Sequence, residues 1–340
     1  MKLNNQSCYI IAEMSANHGN GIEIALETVR AAKRAGADAI KLQTYLPWTI
    51  TLNSRKSDFL IEGTIWNGKF LYELYEEASL PWEWHESIFS EAKKVGIECF
   101  SSPFDNSAVD FLEKLDVPAY KIASFEITDI PLIEYVASKG KPVIISTGIA
   151  TLDDIEKAIF ACQKVGNNQI VLLKCTSSYP APIEEANLRM ISFFKSKFNV
   201  VVGLSDHTIG NIAPIVATAL GAKFIEKHFI LDRSIGGPDA SFSLNENEFK
   251  SMVDAIRQAE HSLGNFEYEL SPLQHNGRRF ARSLYVCEDV KSGDIVSDLN
   301  VRSVRPGFGL HPKHLPEILG RKFNRDLEKG DRVDWSIFEL

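Results

Sequence analysis

The chain has 340 residues, 44% of them hydrophobic and 24% charged, and a formal net charge of -8. That is ordinary globular composition, enough for one large core and a small second domain. The acidic balance argues against a nucleic-acid binder, so an anionic ligand would need a local cluster of cations.

The five cysteines are Cys8, Cys99, Cys162, Cys175 and Cys287. Their number is odd, their spacing irregular, and no CxxC occurs. Free thiols in a reducing compartment are expected, not a disulfide frame. The opening MKLNNQSCYIIAE holds an apolar stretch too short for a signal peptide. No run approaches the roughly 20 apolar residues that span a bilayer. The expectation is a soluble, cytoplasmic protein with no membrane partner.

In chain order, the first apolar run is CYIIAE (8–13). Residues 22–35 then have helical periodicity, with Ile24, Ala25, Ala32 and Ala35 near one stripe and Gly36 as the stop. DAIKLQT (38–44) follows, and after it comes the longest gap between runs. That gap contains WNGKFLYELYEEASLPWEWH (66–85), which reads as an extra surface helix or as a lid or subunit contact. The next runs are IECFSS (97–102), AYKIAS (119–124) and PVIIST (142–147). Pro131 opens a helix that Gly140 closes. Thr151 and Asp154 make a T-x-x-D helix start, followed by Ile155, Ile159 and Cys162 and ended by Gly166. IVLLKCT (170–176), VVVGLSD (200–206) and KFIEKHF (223–229) bring the number of runs to eight.

Near-continuous β-branched runs suit strands buried on both faces of a parallel sheet. Eight β/α units before Gly264 point to a (β/α)8 TIM barrel over residues 1–264. A doubly wound open sheet competes, but no GxGxxG follows the first strand. Residues 265–282 show no sustained period and read as a linker. Residues 283–340, with turns at KSGD and EKGD, read as a small, mostly β second domain.

In barrels the chemistry sits at the carboxyl ends of the strands. Those ends supply Glu13; Lys41 and Gln43; Ser101 and Ser102; Lys121 and Ser124; Ser146 and Thr147; Lys174 and Thr176; Ser205 to His207; and Glu226 to His228. Lys41, Lys121, Lys174 and Lys227 are cations in apolar runs, where a lysine needs an anion or loses its charge. They could pair with Glu13 or Glu226, hold a carboxylate or phosphate substrate, or form a Schiff base. His207 and His228 lie 21 residues apart, about one β/α unit. With oxygen donors they suit Mn2+, Mg2+, Fe2+ or Zn2+, the alternative being buried structural histidines. His18, His85, His261, His275, His311 and His314 fall in loops or on polar faces and read as structural. GGPDASFSL (236–244) is either a plain loop or one that brings Asp239 over the mouth.

AEMSANH (12–18), IKLQTY (40–45), SSPFD (101–105), YKIASFEITDIPLI (120–133), ISTGIA (145–150), KCTSSYPAP (174–182), LSDHT (204–208) and EKHF (226–229) resemble the sialic acid synthase family, nearly full length and in order. RPGFGL (305–310) resembles the SAF, or antifreeze-like, domain that ends those synthases. FEITDIPLI, KCTSSYPAP with Lys174, and GGPDASFSL are most similar to the family's pseudaminic acid branch.

The resemblance implies condensation of phosphoenolpyruvate with an N-acylated amino sugar, here 2,4-diacetamido-2,4,6-trideoxy-altrose. N-acetylneuraminate and legionaminic acid synthesis are the same chemistry on other sugars. The resemblance also implies a divalent metal (Mn2+ or Mg2+, with Co2+ a further candidate). It implies a homodimer in which one subunit's SAF domain covers the partner's active site. Phosphoenolpyruvate contacts fall on Lys41, Gln43, Ser102, Lys121, Ser124, Ser146, Ser177 and Ser205. Ser102 stands where the family often has threonine, and Ser177 where it often has asparagine. Glu13, Glu126, Tyr179, Glu226, Asp239 and Arg305 match sugar-side positions, with Glu13, Lys41 and Lys121 implied as catalytic. His207 and His228 match the metal ligands. A Schiff-base aldolase using Lys121 or Lys174 and a carbohydrate- or ice-binding module are the competing classes.

Overall fold

The computed structural model describes residues 1, 3, 7–264 and 268–339. The chain divides into two compact units, Met1–Gly264 and Asn265–Leu340. In the first, eight strands close in chain order into a barrel, each paired parallel to its neighbours. They are β1 (Tyr9–Glu13), β2 (Ala39–Thr44), β3 (Glu98–Pro103), β4 (Tyr120–Ile122), β5 (Val143–Ser146), β6 (Ile170–Cys175), β7 (Val201–Asp206) and β8 (Phe224–His228). Each of the eight apolar runs is a strand. The (β/α)8 TIM barrel expected from their alternation with helical segments is the observed fold.

The helices are α1 (Ile22–Arg34), α2 (Pro47–Ile50), α3 (Leu71–Ala78), α4 (Trp82–Val95), α5 (Asn106–Lys114), α6 (Ile130–Ala137), α7 (Leu152–Lys164), α8 (Met190–Phe198), α9 (Ile212–Ala219) and α10 (Glu246–Leu263). Their starts follow capping chemistry. The Thr151 hydroxyl accepts from the Asp154 amide, and the Asp154 carboxylate accepts from the Thr151 amide. Asp129 caps α6, one residue before the helix and two before Pro131. The buried face of α1 is Ala25, Thr28, Val29, Ala31 and Ala32, while Ile24 is only half-buried. The 66–85 stretch is not one helix. It contains α3 and the start of α4, broken at Leu80 and Pro81.

Strand alternation sorts the barrel into two cores. Tyr9, Ile11, Ala39, Phe100, Ile144, Val171, Leu173 and Phe224 pack together inside the barrel. Their neighbours Ile10, Ile40, Cys99, Tyr120, Val143, Ile145, Leu172, Leu204 and Ile225 join the helices in the outer core. Gly203 lies where the inner layer leaves no room: a Cβ there would sit 2.3 Å from the Phe224 carbonyl and 2.6 Å from Leu173.

His18 and His85 correct the sequence reading, since both are fully buried. The His85 ring lies 2.8 Å from the Thr44 hydroxyl, on the inward face of α4. His18 meets Trp84 edge-on at 5.9 Å. Among the described residues no helix is long and apolar enough to cross a membrane.

In the second unit, the stretch read as linker carries a capped helix, α11 (Pro272–Gly277), whose start is fixed by Ser271 and Gln274. Beyond it β9 (Ser283–Val286) and β10 (Val301–Val304) pair antiparallel. Short bridges such as Val290 with Leu327 and Phe323 with Phe338 extend the β character. Leu284, Val286, Val296, Ile318, Phe323, Val333 and Ile337 give this unit its own core, and α12 (Leu315–Ile318) contributes to it.

Candidate active site

Above the inner apolar layer, the same parity turns Glu13, Lys41, Gln43, Ser102, Lys121, Ser146, Cys175, Ser205, Glu226 and His228 inward at the carboxyl ends of the strands. Register brings them level: Glu13 pairs with Lys41 and with His228, Gln43 with Ser102, and Ser205 with Glu226. Lys41 Nζ lies 2.7 Å from Glu13, 3.8 Å from Glu226 and 3.3 Å from the Ser102 hydroxyl. Lys121 Nζ is 3.6 Å from Glu226, which also accepts from Ser205 at 3.1 Å. The Gln43 amide donates to Glu13 and to Ser15. All these groups except Gln43 are almost completely buried.

On the far wall the Ser124 hydroxyl is 3.5 Å from Cys175 and accepts from the Gly148 amide at 3.0 Å. A Cβ at Gly148 would fall 1.9 Å from the Ser177 hydroxyl, so only glycine lets the backbone approach here. Cys175 lies 3.8 Å from His207 Nδ1. The His207 and His228 rings are 5.3 Å apart. Tyr179 packs on His207 at 4.4 Å, and Asp239 approaches His228 Nδ1 to 3.6 Å.

Electrostatics divides these groups. Burial raises Glu13 to about 7, against the pull of Lys41 and with the help of Glu226. Glu226 goes the other way: burial is outweighed by Lys121, Lys41 and the Ser205 hydrogen bond, so its pKa falls. Burial also raises Glu126 to about 7, in spite of Lys121. Lys121 is lowered by its burial and by Lys41, with Glu226 opposing. Burial would push the Cys175 thiol up, but His207, Ser124 and Lys121 bring it down to about 7. One carboxyl poised near neutrality beside one firmly ionised is the pattern that separates proton transfer from charge holding.

Several buried polar atoms have no hydrogen-bond partner among the described residues: Ser146 Oγ, Glu126 Oε2, Glu226 Oε2 and His228 Nδ1. Buried polar groups are normally satisfied. A cluster of exceptions at one mouth marks a place built for a polar ligand.

The histidines fit a divalent cation in part. Burial and the surrounding cations hold His228 well below 6.5, so its ring stays neutral and its Nδ1 unpartnered. The His207 Nδ1 sits 2.9 Å from the Thr176 carbonyl, a contact that commits the Nδ1 hydrogen and leaves Nε2 as a donor pair. Among the described residues there is no group of three or more His, Cys, Asp or Glu able to hold a metal. A cation here would take two imidazoles and complete its shell with water or substrate oxygens.

Not every strand-end group faces the mouth. Ser101, Thr147, Lys174, Thr176, Asp206 and Lys227 alternate with the inner set and point into the strand–helix layer. Ser101 meets Thr44 at 2.6 Å, and Thr147 donates to the Leu173 carbonyl. Lys227 is sealed against Asp206 and the Thr208 carbonyl. Lys174 donates to the Cys175 carbonyl at 2.6 Å and lines a cavity of about 470 Å3 with Ile155, Met190 and Phe194. Of the four lysines in apolar runs, Lys41 and Lys121 reach the mouth, and Lys174 and Lys227 do not. Ser15, Gly148 and Cys175 are site residues that the sequence reading passed over. Ser15 and Cys175 lie two residues beyond Glu13 and Leu173, so parity was the signal available. Arg305 lies in the second unit, exposed and without an ion-pair partner among the described residues.

The sequence pattern of the NeuB family matches residues 28–268, and that of the SAF domain matches residues 281–339. The chain belongs to the NeuB family. A pseudaminic acid synthase of Campylobacter jejuni is 52% identical to this NeuB-family chain over 97% of it and 96% of the relative. One from Helicobacter pylori is 49% identical over 94% of each. The crystal structure of an N-acetylneuraminic acid synthetase from Leptospira borgpetersenii superimposes with a TM-score of 0.72. It is 31% identical and covers 81% of this NeuB-family chain and 90% of its own.

Proposed function

We propose that the chain condenses phosphoenolpyruvate with 2,4-diacetamido-2,4,6-trideoxy-altrose to give pseudaminic acid and phosphate. The observation that carries this reading is the buried mouth. Lys41 and Lys121 stand among Ser102, Ser124, Ser146 and Ser205, with the Ser146 hydroxyl unpartnered. Such a cradle suits a small, doubly anionic substrate. The choice of sugar follows the relatives: 52% identity to a pseudaminic acid synthase against 31% to a sialic acid synthetase.

On this reading Lys41, Lys121 and the serines, with Gln43 and Ser177, neutralise the phosphate and carboxylate before reaction, which is electrostatic preorganisation. C3 of the enol bonds to C1 of the open-chain sugar. The aldehyde oxygen becomes a hydroxyl by taking a proton, which Glu13, raised to about 7, is placed to deliver. Water adds at C2 and loses its proton, and the tetrahedral centre expels phosphate by C–O cleavage. Glu126, Tyr179, Glu226 and Asp239 line the sugar side. A divalent cation held by His207 and His228 would supply Lewis-acid polarisation of the aldehyde.

The finer organisation is also proposed: a cytoplasmic homodimer in which the SAF domain of one subunit covers the partner's mouth and Arg305 reaches its sugar. The unpaired, exposed side chain of Arg305 supports this. Truncation before residue 283 should then abolish activity, and an active monomeric barrel would refute the arrangement. The function itself is tested by phosphate release from phosphoenolpyruvate with Mn2+, offering the trideoxy-altrose sugar and N-acetylmannosamine in parallel. Much faster release with the first is expected. Release with the second alone would move the chain to sialic acid synthesis.

A further inference from the structure

The insertion between β2 and β3 is the segment for which the barrel itself has no need. Residues 60–70 fold back on themselves: Leu60 bridges Phe70, the Ile61 amide donates to the Lys69 carbonyl, and the Gly68 amide to that of Ile61. Trp66 sits at the tip of this loop. Its indole N–H donates to the Pro238 carbonyl at 3.1 Å, 172 residues away. Its ring lies 5.6 Å from that of Tyr179, which in turn packs on His207 at 4.4 Å. Phe242, from the same loop as Pro238, is 5.4 Å from Tyr179 and 4.9 Å from His228.

Pro238 precedes Asp239, the carboxylate nearest His228. The 236–244 loop is also seated by Asn17, which donates to Ser243, by Ser243, which donates to the Asp239 carbonyl, by Arg233, which donates to the Ser243 carbonyl, and by Leu244, whose amide donates to the His228 carbonyl. Trp66 therefore ties the Pro238 end of this loop to the β2–β3 insertion and also backs the Tyr179 ring. The indole N–H is spent on Pro238, the faces of the Trp66 and Tyr179 rings offer no hydrogen-bond partner, and Phe242 has no polar atom. A sugar hydroxyl pressed against these rings would lose water without regaining a partner, whereas a methyl group would gain contact area.

We propose that Trp66 is the positioning residue that sets sugar specificity: it fastens the 236–244 loop and the Tyr179 ring over the mouth as an apolar wall that favours a sugar with a deoxygenated far end. This rests on the function proposed above. That sugar carries a methyl at C6 and a second acetamido group, where N-acetylmannosamine carries hydroxyls.

The test uses the full-length protein and its Trp66→Phe and Trp66→Ala variants. For each sugar, KM and kcat are measured with phosphoenolpyruvate saturating, and the phosphoenolpyruvate KM is measured separately. Amide hydrogen exchange is followed over 236–244 in the same proteins. Trp66→Ala should raise the KM of the trideoxy-altrose sugar and cut its preference over N-acetylmannosamine about tenfold. The phosphoenolpyruvate KM should stay within about twofold. Trp66→Phe, which keeps a ring but loses the N–H, should fall between. Exchange over 236–244 should quicken in both variants. Both substrates' KM values rising together, an unchanged preference, or unchanged exchange would each overturn the proposal. A wild-type protein that used neither sugar would sink the function reading alone, and exchange at 236–244 would still decide whether Trp66 holds the loop.

Discussion

Lys121 and Lys174 both belong to apolar strands and both stand near the carboxyl end of the barrel, yet their surroundings share little. Lys121 is inside, buried beside Glu226 and within the field of Lys41. Lys174 is outside, half-buried among the apolar side chains of α7 and α8, and bonded only to neutral oxygens. Lys41 and Lys227 repeat the contrast. The first shares its two carboxylates with the mouth, and the second is locked to Asp206 in the layer behind it. Because side chains alternate along a strand, a shift of one residue moves a lysine from reaction chemistry to scaffold. Residue type and strand position do not distinguish the two cases; parity does.

The sharpest way to break this contrast is at the inner histidines. His207→Ala should abolish binding of the divalent ion proposed for this site and lower turnover about a thousandfold. Metal content after dialysis and reloading, together with phosphate release, reads both. Activity undiminished in chelator would remove the metal from the account.

Next come the two lysines. Lys121→Met should raise the phosphoenolpyruvate KM or lower kcat by a combined 10²–10³, an order-of-magnitude expectation for losing a preorganised charge. Lys174→Met should leave kcat/KM within about threefold. Equal losses at both positions would erase the distinction between inner and outer faces. Lys174 also excludes itself as the Schiff-base lysine of an aldolase at this mouth, because its amine faces away from the inner set.

Lys227→Met should act on stability. It strands the Asp206 carboxylate without its partner in a fully buried layer, which costs about 3–5 kcal/mol. Thermal or urea unfolding measures this. The double variant Lys227→Met with Asp206→Leu should recover much of the loss, since an apolar pair can replace a buried ion pair.

The smallest effect is a pH dependence. Glu126 is raised by burial to about 7 from 4.5, so between those values the folded protein holds a proton that the unfolded chain releases. Its contribution is therefore complete below pH 4.5 and declines as pH rises through about 7. Relative to Glu126→Gln, the wild type should lose on the order of 1–3 kcal/mol across that window. Parallel unfolding curves at every pH would contradict the raised carboxyl.

Much of the barrel was legible in the sequence because a strand buried on both faces must be apolar along its whole length, and eight such runs leave few alternatives. The inner site was legible for a second reason: the Glu13, Lys41, Lys121 and Glu226 charges interrupt those runs, and a buried charge requires a partner. Where the reading failed, the missing information was direction. Lys174 and Lys227 were grouped with the mouth because both faces of the strand end are polar there. Cys175 reads in the sequence only as one of five free thiols, and its place on the inner face of β6 emerges from strand parity. His18 and His85 read as structural residues of loops or polar faces; His18 does lie in a loop, but both are buried, His85 on the inward face of α4. Trp66 could not be placed from sequence at all, since its partners Pro238 and Tyr179 are far away along the chain.

The central claim is that this mouth joins phosphoenolpyruvate to the sugar and releases phosphate by C–O cleavage. It is tested most directly with phosphoenolpyruvate carrying heavy oxygen at the bridging position, incubated with Mn2+ and the trideoxy-altrose sugar. The account predicts that all the label departs with phosphate and that a nonulosonic acid forms in equal amount. Label retained in the sugar acid, or pyruvate and phosphate formed without condensation, would contradict it.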